Sequence, residues 1–147
     1  MSTLRANQQM SAYHQASIDG LSPRDLLVRL MQALERFLRV AQVHMRNREI
    51  ELAHNNCQSA NAIIAELLLT LNRDQGGDIA VRLNALYLFL QKTITEANLK
   101  KSPELIDGIL PVIASLREAW EAIPDEFAHV SSVRQTSDTA VTMSLSI

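Results

Sequence analysis

Cysteine, proline, glycine and aromatic side chains are all scarce in this chain. Across 147 residues there are one Cys, four Pro, four Gly and six aromatic residues. A lone Cys57 excludes an internal disulfide framework and fits a reducing compartment. So few turn-forming residues cannot supply the many tight turns of an all-β domain. No run of about 18 apolar residues marks a membrane span, and residues 1–15 lack the continuous apolar stretch of a secretory signal. These absences point to a cytoplasmic protein without membrane insertion. Fourteen basic and sixteen acidic residues are interspersed. No basic stripe appears that would hold a phosphate backbone, so nucleic acid is not an expected partner.

What the chain has is aliphatic content. It is 47% hydrophobic, enough for a single domain with a real core, and the apolar residues recur at helical spacing. Ser22 and Pro23 form a helix start, with Asp25 placed as a capping-box acid. Leu26, Leu27, Leu30, Met31, Leu34, Phe37, Leu38, Ala41 and Met45 then keep three-and-four spacing to about Arg46. A second helix is expected over about 49–72, burying Ala53, Cys57, Ala60, Ile63, Ile64, Leu67 and Leu71. "NRDQGGD" reads as the clearest loop, and a third helix as running from Asp78 to about Leu99. Ser102-Pro103 repeats the helix start. The fourth helix carries Leu105, Ile109, Ile113, Leu116 and Trp120 and ends at Pro124. Pro111 inside it predicts a kink rather than a break.

Four helices of about 20 to 24 residues, joined by short connections, predict an all-α, antiparallel up-down-up-down four-helix bundle. The expected division is a mobile N-terminal cap segment at 1–21, the bundle at 22–123, and a flexible, disordered Ser/Thr-rich tail at 124–147.

The third helix is apolar on two sides. At 100° per residue, Ile79, Leu83, Leu86, Tyr87, Leu90, Ile94 and Ala97 share one face, while Val81, Ala85 and Leu88 lie opposite with Phe89 at the flank. The second helix repeats the trait with Ala62, Ala65 and Leu69. If the two helices are neighbours, the outer residues make a shallow groove. Its floor is Ala62, Ala65 and Ala85, its walls are Leu69, Val81 and Leu88, and it suits an amphipathic helix from a partner. A homodimer, or the chain's own ends, would cover the same surface.

Enzyme chemistry finds little support. A di-iron bundle needs two inward Glu-x-x-His pairs. Glu51 to His54 matches once but faces outward, as does Glu96, and Glu126 to His129 lies beyond the last helix. A histidine phosphotransfer bundle using His54 is the alternative. In "LAHNNCQSA", however, Asn56 and Cys57 replace the Lys and Gly that such a site uses to hold a phosphoryl group. His14, His44 and His129 read as surface residues without local partners, Cys57 as packing, and Trp120 as a core anchor. Asn98 reads as a cap or loop-positioning residue. No catalytic residue, metal site or cofactor is expected.

Several blocks in order carry a family resemblance: Tyr13, "SPRDLLVRLMQALERFL", "ANAIIAELLLTLN", "GGDIAVRLNALYLFL", "EANLKK" and "LREAW". Over about residues 13–123 the chain resembles the flagellin-specific export chaperones, the FliS family. The resemblance implies a bundle that binds the C-terminal segment of flagellin in the cytoplasm, blocks its premature polymerisation and assists its delivery to the flagellar type III export apparatus. It also implies that Tyr13, with Ile18 and Leu21, caps part of the client surface until the client arrives. The expected client-binding residues are then Tyr13, Ala62, Ala65, Leu69, Val81, Ala85 and Leu88, on a monomer or weak homodimer.

Overall fold

The computed structural model describes residues 22–71 and 73–124. Four helices follow one another: α1 (Pro23–Arg46), α2 (Ile50–Leu69), α3 (Arg73–Lys100) and α4 (Pro103–Ala122). Each packs on its sequence neighbours, and α4 closes the ring against α1. Cross-helix hydrogen bonds fix the directions. On α1 and α4, Arg24 bonds the Ile123 carbonyl while Gln42 bonds the Pro103 carbonyl and Asp107. On α2 and α3, Asn61 meets Thr95 and His54 meets Asn98. Early residues of one helix meet late residues of its neighbour, so this is the expected antiparallel bundle. Tyr13, the cap segment and the tail beyond Pro124 lie outside the described residues.

The starts of α1 and α4 are built as the sequence predicts. Ser22 Oγ accepts the Asp25 N–H at 3.1 Å and Ser102 Oγ accepts that of Leu105 at 3.4 Å, each followed by proline in the first helical position. Asp25 does not complete a capping box, because its carboxylate takes the Arg24 guanidinium instead.

The inner faces meet in one core. Leu30, Met31, Leu34 and Leu38 of α1 join Ala53, Cys57, Ala60, Ile63, Ile64 and Leu67 of α2. Tyr87, Leu90, Ile94 and Ala97 of α3 join Ile106, Ile109, Ile113 and Trp120 of α4.

Four expectations need correcting. Helix α2 stops at Leu69 instead of near Asn72, because Thr70 caps it: its N–H bonds the Glu66 and Leu67 carbonyls, and its hydroxyl donates to Leu67 O at 2.7 Å. The segment read as a loop is helical from Arg73, and only Gly77 breaks it, at φ 62° and ψ −142°. Glycine alone tolerates that conformation cheaply, so one residue absorbs the change of direction. Ile79 is exposed and Ala80 is buried in its place, because the turn beside Gly77 is rotated relative to the rest of α3. His44 is not partnerless: its Nδ1 lies 2.8 Å from Glu49 Oε1 across the α1–α2 turn.

Helix α4 runs continuously through Pro111. Proline cannot donate to the Asp107 carbonyl, but both residues are exposed, so the missing bond falls on the solvent side of the helix.

Candidate functional site

Side chains on the outer face of α3 recur at positions 81, 85, 88, 92, 95 and 99, which is two interleaved seven-residue repeats. That spacing makes a straight seam along a helix, about 27 Å long at 1.5 Å per residue. Its members are Val81, Ala85, Leu88, Lys92, Thr95 and Leu99, and all six are exposed. Leu99 is 81% exposed, Val81 55% and Leu88 48%. On α2, Leu69 is 79% exposed, Ala65 is exposed and Ala62 is half-buried. Burying one leucine fully is worth about 1.5–3 kcal/mol, so this face holds a sizeable unrealised driving force. Six of the seven residues expected to bind a client are therefore on the open side of the α2–α3 pair, and Tyr13 lies outside the described residues.

The surface has two halves. Toward the Gly77 end its side chains are aliphatic, with Leu69, Val81, Ala85 and Leu88. Toward the Lys100 end, Asn61, Leu88, Gln91, Lys92, Thr95, Glu96 and Leu99 line an open groove of about 680 Å³. Sequence reading missed this second half. The seven-residue repeat continuing from Ala85 through Lys92 to Leu99 was the available signal, masked because Lys92 and Thr95 are polar.

Within the groove the polar groups are mostly tied down. Asn61 Nδ2 donates to Thr95 Oγ1 at 3.1 Å, leaving Asn61 Oδ1 buried without a partner. Lys100 donates to Glu96 at 2.8 Å, and that hydrogen bond holds the Glu96 carboxyl below the usual range.

His54 sits where the same two helices meet farther along. Lys101 Nζ donates to Asn98 Oδ1 at 2.7 Å, so the Asn98 amide must present its NH₂ to His54 Nδ1 at 2.9 Å. His54 Nδ1 is then the acceptor, and Nε2 lies 3.2 Å from the Gln58 amide, which must turn its oxygen toward the ring to accept from that nitrogen. This ring is held by amides on both sides, with neither a cation nor a glycine at the positions a phosphoryl acceptor would need. The phosphotransfer alternative is not favoured. Asn98 is accordingly a bridge between α2 and the α3–α4 turn.

Cys57 is fully buried, and burial pushes its thiol up to about 11 against an opposing pull from Lys101. A protonated, enclosed thiol is inert packing. Glu51 is exposed, away from the core, and among the described residues no three His, Cys, Asp or Glu side chains gather as a metal site would require. No described helix is long and apolar enough to cross a membrane.

Known proteins are similar to this chain in sequence. The profile of the flagellar protein FliS family matches residues 6–126. The flagellar secretion chaperone FliS of Vibrio cholerae is 31% identical over 128 residues, covering 84% of this chain and 93% of its own. That of Campylobacter jejuni is 31% identical over 120 residues, covering 82% and 94%. That of Bacillus subtilis is 28% identical over 117 residues, covering 79% and 86%. With most of its length matched by that profile and by relatives at this identity, the chain belongs to the FliS family of flagellar secretion chaperones.

Proposed function

We propose that the outer face of α2 and α3 holds the C-terminal segment of a flagellin as an amphipathic helix in the cytoplasm. The observation that carries this reading is the exposed seam from Val81 to Leu99, flanked by Leu69 and Ala65 on the neighbouring helix. A segment disordered when free loses chain entropy on binding, and burial of its apolar face on this seam offsets that cost. While bound, the segment is unavailable for polymerisation, and the complex is the form delivered to the flagellar type III export apparatus. The work is done by binding alone, with no catalytic group, metal or cofactor. The chaperone acts as a monomer or weak homodimer, with Tyr13 and the residues around it competing for the client surface.

Calorimetric titration of the full chain with the C-terminal segment, of about forty residues, from each flagellin of the same genome tests this reading, that length being enough for the spaced anchors of groove binding. A saturable one-to-one signal with a negative heat-capacity change is expected. No heat and no competition with any of these segments would remove the client assignment.

A further inference from the structure

The even mixing of charge along the sequence hides a stripe that the fold brings into line. Helix α1 carries five arginines and no lysine, against only Asp25 and Glu35. Arg24 is tied to Asp25 and the Ile123 carbonyl, and Arg46 lies 3.8 Å from Asp107. Arg29, Arg36 and Arg39 are exposed and have no ion pair among the described residues. With Gln32 and Val43 they occupy positions 29, 32, 36, 39 and 43, the alternating three-and-four spacing of a helix-pairing seam. In the ring of helices α1 is diagonal to α3, so this seam faces away from the proposed client surface.

We infer that the outer seam of α1 is a second docking surface, and that its occupant is a carboxylate-bearing helix of another protein. Three observations select that chemistry. The residues are all arginine, whose planar fork matches a carboxylate two-for-two, where lysine offers only a point charge. The nearest internal acid does not satisfy them: Glu35 is buried, and both its oxygens accept from Arg117, at 2.6 and 3.4 Å. A hollow of about 370 Å³ lined by Gln32, Glu35, Arg36, Arg39 and Arg117 is open beside the seam.

The stripe is too short for a nucleic acid. Arg29 to Arg39 spans about 15 Å, and neutralising phosphates with three cations releases too few counter-ions to hold a phosphate chain tightly. A lipid surface would want an apolar wedge, and Val43 is the seam's only apolar member. Because the two surfaces are back to back, an acidic partner and a client can be bound together, and this inference does not depend on the identity of the client.

The test uses the full chain and a fluorescent helical peptide with glutamates spaced to oppose Arg29, Arg36 and Arg39. A scrambled peptide of equal charge serves as control. The matched peptide is expected to bind saturably, about tenfold or more tighter than the scrambled one, and to weaken between about 50 and about 300 mM salt. Combined Arg29→Gln, Arg36→Gln and Arg39→Gln substitutions should abolish that preference and leave the flagellin-segment titration as it is in the unsubstituted chain. Arg82→Gln with Lys92→Gln, which removes exposed cations of α3, should leave peptide binding unchanged. The inference is overturned if the matched and scrambled peptides bind alike, if neither binds, or if the α3 substitutions weaken binding as much. It is equally overturned if single-stranded RNA or phosphatidylglycerol vesicles bind through these arginines more tightly than the matched peptide.

Discussion

Arg117 of α4 reaches across to α1 and holds the Glu35 carboxylate, with Nε 2.6 Å from Oε2, where the Glu35 side chain is only 10% exposed. The same guanidinium holds Glu121 one turn on at 3.2 Å, and Glu35's hydrogen bond is the main reason its pKa is raised. Removing one partner leaves a charge without a counter-ion in a largely dry site. Arg117→Met is expected to cost about 2–3 kcal/mol, less than for a fully buried pair because the arginine is partly solvated. Glu35→Leu combined with Arg117→Met should recover most of that loss. Urea unfolding of the two single variants and the double variant measures the coupling directly; additive losses would show that the pair contributes nothing.

Leu67 and Leu69 are two residues apart on α2 but have opposite fates, one 1% exposed and the other 79%. Leu67→Asp buries an unpaired carboxylate and should destabilise on the order of 4–5 kcal/mol, enough to lose cooperative folding. Leu69→Asp and Leu88→Asp should change stability by no more than about 0.5 kcal/mol, while weakening flagellin-segment binding about tenfold or more. Circular dichroism melts alongside the titrations separate the two effects. A melt of Leu88→Asp as low as that of Leu67→Asp would make the seam part of the core.

Much of this was legible beforehand, and the exceptions have physical causes. The residues from Leu26 to Met45 announce α1 because apolar spacing is a one-dimensional record of a single buried face. Ser22 and Ser102 announce helix starts because capping is local. Glu35 and Gln42 could not be read as buried, since what makes their burial tolerable is Arg117 and Asp107, over sixty residues away in sequence. Leu99 was missed for another reason: a partly polar seam has no hydrophobic periodicity to detect. The arginine seam of α1 was hidden in the same way by balanced composition.

Both turns at one end of the bundle place a non-glycine residue in the left-handed region, Arg48 at φ 60° and Lys101 at φ 50°. Each closes a helix with paired N–H bonds back to it, Glu49 to His44 and Arg48 to Met45, then Ser102 to Ala97 and Lys101 to Asn98. That closing geometry favours glycine. Arg48→Gly is therefore expected to raise stability by about 0.5–1 kcal/mol. Lys101→Gly should gain less or nothing, because its ammonium donates to the Asn98 carbonyl at 2.6 Å and to Asn98 Oδ1 at 2.7 Å. Thermal melts of the two variants compared side by side decide it, and equal gains would mean the lysine bonds have no net value.

Burial carries the Cys57 thiol from 9.0 to about 11. The folded state then holds this proton more tightly than the unfolded state. The stability involved is fully present below pH 9.0 and is lost as pH rises through about 11. Between about pH 8 and about pH 10.5, the wild type should lose on the order of 2 kcal/mol more than Cys57→Ala does, at about 1.4 kcal/mol per pH unit. Denaturant midpoints of both proteins at the two pH values provide the comparison, and parallel losses would place the alkaline sensitivity elsewhere.

The 2.8 Å bond from Arg24 Nη1 to the Ile123 carbonyl joins the start of the first helix to the end of the last. The four helices therefore form a closed circuit in space, although the polypeptide is open. A linker of a few residues could connect position 123 to position 22, and the chain could be opened instead at Asn47–Glu49, with the core packing of all four helices kept and only the bonds of that turn, His44 to Glu49 among them, given up. In such a circular permutant both free ends would emerge at the opposite pole, away from Leu69 and Val81. It would separate what the bundle does from what residues 1–21 and 124–147 do, because the linker stands in their place.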